Sequence, residues 1–192
     1  MRELNEGIAR EANREDRCTG RFWEGRFKSQ ALLDEKALAA CLAYVDLNPI
    51  RAMMADTPES LEFTSVKDRI EQAESTGNPQ YPNQQPLHLM PFVGNPRQNM
   101  PNGLPFRLTD YLDLVDWTGQ ILRNDKRGSI NHNLPPMVER LQIDPQHWLY
   151  LTKHFESGFK GLVGSAFALK QACQTLNYQR QPGLAANLKY LS

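Results

Sequence analysis

The sequence predicts an α+β fold: a mixed strand-and-helix segment over 1–74, a Pro/Asn/Gln-rich linker over 75–105 and a helical region over 106–192. From Arg26 onward, Phe27, Ser29 and Ala31 alternate with Arg26, Lys28 and Gln30, the period of a half-buried strand with a basic outer face. Prolines then punctuate the chain at Pro79, Pro82, Pro86, Pro91, Pro96, Pro101 and Pro105 among Asn, Gln and Gly, which marks a linker or extended arm. Beyond Phe106 the apolar residues fall at helical spacing.

Taken in order, Arg2 to Asp16 reads as an amphipathic surface helix, with Leu4, Ile8 and Ala12 on one side and charges of both signs elsewhere. Cys18-Thr19-Gly20 ends it, and Gly25 marks a bulge or a close backbone approach. Asp34 is placed to cap a helix from Glu35 to Asn48, whose alanines favour helix and whose Leu38, Cys41, Leu42 and Val45 form a buried stripe. Pro49 ends or kinks that helix, because its ring removes a donor and crowds the preceding turn. A second short helix starts near Thr64-Ser65.

Leu87, Leu89, Met90, Phe92 and Val93 interrupt the linker, so part of it is expected to pack on a domain surface. Thr109 caps a helix from Asp110 to Asn124, with Tyr111, Leu114, Val115 and Trp117 on its apolar side. Pro135-Pro136 opens the next helix, and Asp144-Pro145 gives a cap followed by proline at the first helical position. The glycine-rich stretch Gly158 to Gly164 reads as a helix-helix turn within a region whose last helix runs from about Lys160 to Leu176.

Composition narrows the function. The 192-residue chain has 40% hydrophobic and 23% charged residues, and no run reaches the ~20 apolar residues of a membrane helix. Its charged N-terminus lacks the apolar core of a signal peptide, so a cytoplasmic location is expected. Cys18, Cys41 and Cys173 are scattered and read as reduced thiols. Net charge is zero, which argues against a uniformly basic nucleic-acid binder but leaves room for a local basic strip. Walker A, GxGxxG, HExxH and GxSxG signatures are missing.

The residues with chemistry lie on the Asp34-capped helix. Tyr44 and Asn48 are one turn apart on one predicted face. A tyrosine hydroxyl can attack phosphorus once assisted, and an Asn amide oxygen is a hard neutral ligand suited to Mg²⁺ or Mn²⁺. On spacing alone a packed tyrosine and a helix-stopping asparagine are the far commoner reading of such a pair.

Two linked motifs shift the balance towards the catalytic reading. Trp23-Glu24-Gly25-Arg26-Phe27-Lys28-Ser29 is followed by Tyr44-Val45-Asp46-Leu47-Asn48-Pro49-Ile50-Arg51-Ala52. Together they resemble the REP-associated tyrosine transposases, single-tyrosine members of the HUH (His-hydrophobic-His) class, over roughly residues 1–70. The resemblance implies a truncated ferredoxin-like HUH domain at the start of the chain. It makes Tyr44 the nucleophile and Asn48 the third ligand of a Mg²⁺ or Mn²⁺ ion. The implied partners are single-stranded DNA and REP hairpins, cleaved and joined through a 5′-phosphotyrosine. Arg26, Lys28 and Arg51 are the cations expected near DNA phosphates, with Arg51 equally suited to a helix C-terminal charge.

The match departs from the family in one respect. The class's His-x-His metal pair is missing, because the histidines are His88, His132, His147 and His154, all after the tyrosine. Met1 is therefore expected to be an internal start in a longer frame. The chain alone is expected neither to bind the metal stably nor to cleave DNA, with a missing N-terminal half or a homodimer mate as further partners. The helical region supports a second expectation, a non-catalytic DNA-binding or protein-interaction module. Lys153, Lys160, Lys170, Arg180 and Lys189 outnumber Asp144 and Glu156 there. A core-packing or dimerisation role for Trp148, Leu151, Phe155, Phe159 and Phe167 is the plainer reading.

Overall fold

The computed structural model describes residues 2–25, 28–54, 64–77, 81–94, 102–123 and 134–192. The chain divides into two compact units, 1–30 and 31–192. In the first, α1 (Arg2–Glu15) buries none of its residues, as expected of a charged surface helix. Ion pairs of Arg10 with Glu6 and Arg14 with Glu11 run along it. Asn13 Nδ2 donates to Gly20 O at 3.1 Å and Trp23 Nε1 to Asn5 O at 2.9 Å, folding the 16–25 segment back onto the helix. Arg26 and Phe27 of the expected strand lie outside the described residues, and Lys28 to Gln30 have no regular structure.

Among its described residues the second unit is mostly helical, with one two-stranded parallel sheet. β1 (Ala31–Leu32) leads through Asp34 into α2 (Glu35–Asp46). Asp34 is extended, at φ −153° and ψ 178°, and its Oδ1 accepts the Ala37 N–H at 3.0 Å, the expected cap. The helix ends at Asp46, two residues short of the expected Asn48. Leu47 leaves helical geometry at φ −92° and ψ 1°, and α3 (Asn48–Arg51) begins with Pro49 in its first turn. A proline at that position lacks an N–H to continue the ladder but fits the start of a new turn.

α4 (Ser65–Thr76) is capped by Thr64 and ended by Gly77 at φ 68°, the left-handed geometry that favours glycine. Next come a 3-10 turn (Pro82–Gln84), α5 (Leu108–Arg123), α6 (Pro136–Leu141) and α7 (Pro145–Gly158). The Asp144 side chain accepts the N–H groups of Gln146 and His147 at the start of α7, as Asp-Pro predicts. α5 starts one residue ahead of Thr109, so that threonine is inside the helix. β2 (Leu162–Val163), α8 (Ala166–Thr175) and α9 (Leu184–Tyr190) complete the chain.

β2 corrects the expected all-α C-terminal region. The stretch read as a helix-helix turn is instead a strand pairing in parallel with β1, Ala31 opposite Leu162 and Leu32 opposite Val163. The pairing needs close approach: a Cβ on Gly164 would lie 2.9 Å from Leu33 Cβ and 3.1 Å from Asp34 Oδ2. That oxygen accepts the Ser165 N–H, so one carboxylate caps α2 and anchors the entry to α8. Buried Asn187 holds the other side of β2, accepting from Gly164 N at 2.8 Å and donating to Leu162 O at 3.3 Å. α8 accordingly starts later than the helix expected from about Lys160.

The main hydrophobic cluster runs through the described parts of 31–192, and a smaller one joins Leu162, Leu169 and Cys173. Ala37, Ala40 and Ala43 are fully buried on α2, and such small side chains admit α7, whose Trp148, Leu151 and Phe155 fill the space. Leu47 and Ile50 pack against Gly119 of α5, each 3.5 Å from where its Cβ would stand. The main cluster takes in Phe92 and Leu104 from the proline-rich stretch, which form an isolated parallel bridge. Buried Gln85 fixes this segment, accepting the Phe92 N–H at 2.7 Å and donating to Phe92 O at 2.9 Å. No helix among the described residues is long and apolar enough to cross a membrane.

Candidate functional site

Tyr44 sits near the end of α2, half-buried, at the contact with α7. Its ring lies 6.0 Å from that of Phe155, and its hydroxyl is 3.4 Å from Glu156 Oε2, both on α7. Arg51 completes the surroundings. Its guanidinium stands 4.0 Å over the Tyr44 ring, a cation–π contact. Nη1 donates to Tyr44 O at 2.7 Å and Thr152 O at 2.8 Å, and Nη2 donates to Asn48 Oδ1 at 2.8 Å. Burial lowers the Arg51 pKa from its ordinary value, against the raising effect of Tyr44. The guanidinium stays charged, as arginine does in proteins.

Of the residues singled out in the sequence, Tyr44, Asn48 and Arg51 are therefore brought together, joined through Arg51. Asn48 is exposed and opens α3, so it shares Tyr44's neighbourhood across the break at Leu47 rather than along one helix. Both protons of Arg51 Nη1 go to main-chain carbonyls, which ties much of this side chain to the fold. Lys28 is exposed and belongs to the 1–30 unit, and Arg26 lies outside the described residues.

No protein-family model, curated protein or solved structure matches the chain.

A divalent ion does not fit the residues present. The Asn48 oxygen that would coordinate it accepts from a guanidinium, so a second cation there meets direct repulsion. Among the described residues no group of His, Cys, Asp and Glu stands close enough to hold a metal. His88 pairs with Asp68 at 3.0 Å, while His147 and His154 lie along α7 beside tyrosines.

Glu156 and Thr152 escaped the sequence reading. Their roles depend on α7 packing against α2 from more than a hundred residues away, and neither residue stands in a motif. A second polar group lies behind the site. Asp46, 6% exposed, accepts from Ser65 Oγ at 3.0 Å and from the fully buried Tyr111 hydroxyl. Burial raises the Asp46 carboxyl above its ordinary range despite the lowering effects of Tyr111, Ser65 and Arg69. Burial likewise lowers Arg69, so for both groups desolvation outweighs mutual attraction. Tyr111 is held well above its ordinary pKa by burial and by Asp46, and so donates as a neutral phenol.

Proposed function

We propose that this chain carries the tyrosine half of a DNA strand-transfer site of the REP-associated transposase kind, with Tyr44 as nucleophile toward single-stranded DNA at palindromic hairpins. The observation that carries it is the pair of linked motifs, Trp23 to Ser29 and Tyr44 to Ala52. A ferredoxin-like HUH ancestry for the start of the chain belongs to the same proposal. The order of β1, the Asp34 cap and the tyrosine helix is in keeping with it.

In the reaction, Tyr44 Oη attacks phosphorus in line, and the bond from phosphorus to the 3′ oxygen breaks. A 5′-phosphotyrosine and a free 3′-OH result. Glu156 Oε2, 3.4 Å from Oη, is placed to receive the phenol proton, while the leaving oxygen takes its proton from water. Arg51 positions the Tyr44 ring by stacking and by bonding the main chain at both Tyr44 and Thr152. On this reading the histidine ligands of the class would come from a separate polypeptide whose docking also frees Asn48 from Arg51; that assembly would cleave DNA and the chain alone would not.

A second reading is a DNA-binding module that no longer catalyses. It is favoured by the Asn48 oxygen being engaged by Arg51. Photocrosslinking tests what the two share. A REP-type hairpin with a photoreactive base in its single-stranded flank should crosslink to peptides of α2 and α3 around Tyr44. Crosslinks confined to other parts of the chain would remove Tyr44 from the DNA path and with it the transfer reading.

A further inference from the structure

α7 and α9 together present an aromatic surface that Phe159 and Phe155 connect to the Tyr44 contact. Tyr150 and Tyr190 stack in parallel, with ring centroids 4.0 Å apart and planes 8° from parallel. His154 lies 4.9 Å from Tyr150, and His147 meets Tyr190 edge-on at 5.4 Å. The Lys189 ammonium stands 4.9 Å over the Tyr190 ring. Both tyrosines are half-buried, whereas Lys153, His154 and Lys189 are exposed. His154 also departs from helical geometry, at φ −130° and ψ 20° inside α7.

The side chains of α7 and α9 beside these rings are mainly basic. From Ile143 onward the only acidic side chains are Asp144 and Glu156. Asp144 is engaged as the cap of α7, and Glu156 lies on the flank of α7 that meets Tyr44. Lys153 is one turn from Tyr150 on the same helix. Rings flanked by exposed cations suit a ligand that is planar and anionic at once. Single-stranded nucleic acid has that chemistry: every base offers a π-face and every linkage a negative charge.

We propose that Tyr150, Tyr190, His154 and Lys189 form a second binding surface for single-stranded DNA, with a base packing against the exposed His154 ring and the Tyr150 it borders, Tyr190 backing Tyr150, while Lys189 and Lys153 meet the phosphates. The choice of DNA over RNA rests on the proposed function; the aromatic surface itself does not.

The test is fluorescence anisotropy with the full chain and labelled oligothymidylate of about 15 nucleotides, at about 50 mM salt. Tyr150→Ser is expected to weaken binding at least about fivefold, the lower end for one stacked base, and Tyr150→Phe to retain it. Lys189→Gln should weaken binding and flatten its salt dependence, and Lys170→Gln on α8 should change nothing. Lys189 is exposed, so its variant reads the surface even where Tyr150→Ser disturbs folding. Wild-type affinity in both Tyr150→Ser and Lys189→Gln, or no binding by the wild type, overturns the surface. Equal or tighter binding of oligouridylate overturns the assignment to DNA. The readout is equilibrium binding without covalent chemistry, so its failure and that of the Tyr44 reading are separately visible.

Discussion

The Arg51 guanidinium covers the Tyr44 ring at 4.0 Å while Nη1 bonds both the Tyr44 and Thr152 carbonyls. One side chain thus ties α3 to the end of α2 and to the middle of α7, and fixes the tyrosine between them. Replacing it by alanine removes charge-assisted hydrogen bonds of the kind that contribute about 1.5–3 kcal/mol. Arg51→Ala should therefore lower the urea midpoint by a corresponding amount. Arg51→Lys should recover only part of the loss, because an ammonium lacks the planar fork that reaches both carbonyls. Full recovery by lysine would show that charge alone matters.

Asp46 gives a pH dependence whose sign follows from its burial. Its carboxyl is raised in the folded state, so the folded chain holds that proton more tightly than the unfolded chain. The contribution to stability is fully present below the unfolded carboxylate pKa of about 4, and is lost as pH rises through the folded value. Asp46→Asn should flatten this part of a plot of urea midpoint against pH, since an amide oxygen still accepts from Tyr111 and Ser65. An unchanged slope in the variant would assign the pH dependence to other groups.

Gly164 is needed for space rather than for turning. A Cβ there would stand 2.9 Å from Leu33 Cβ, a side-chain root that cannot swing away. Gly164→Ala is expected to cost about 1–3 kcal/mol, the usual range for overpacking, and to weaken the β1–β2 pairing. Hydrogen exchange at Leu33 N, which donates to Val163 O at 2.8 Å, should speed up with it.

Trp148 tests whether the tyrosine helix depends on the C-terminal helices. It is fully buried, and its Nε1 donates to Thr118 Oγ1 at 3.0 Å. Trp148→Ala should destabilise the chain by about 3–5 kcal/mol and, in the same transition, expose α2. Loss of protection at α7 with α2 unaffected would mean that the two fold independently.

The legible parts of this fold are those with local chemistry. Asp34, Thr64 and Asp144 announced helix starts because a capping oxygen acts within three residues of itself. The β1–β2 pair had no such signal. Two-residue strands are too short for a period, and their partners are remote in sequence. Gly164 was visible only as a glycine, and the neighbour that requires it, Leu33, comes from the other end of the unit. At the site the motif made Tyr44, Asn48 and Arg51 readable as a set. The hydrogen bond from Arg51 to Asn48 and the approach of Glu156 come from packing, which residue spacing does not encode.

The measurement closest to the central claim is the intact mass of the chain after incubation with a REP-type hairpin and Mn²⁺, alone and assembled with a polypeptide carrying the His-x-His pair. The account predicts no adduct from the chain alone. The assembly should gain the mass of the 5′-phosphorylated DNA fragment, mapped to Tyr44 and abolished by Tyr44→Phe. An adduct that survives Tyr44→Phe, or none from an assembly that binds the hairpin, would contradict the assignment of Tyr44 as the nucleophile.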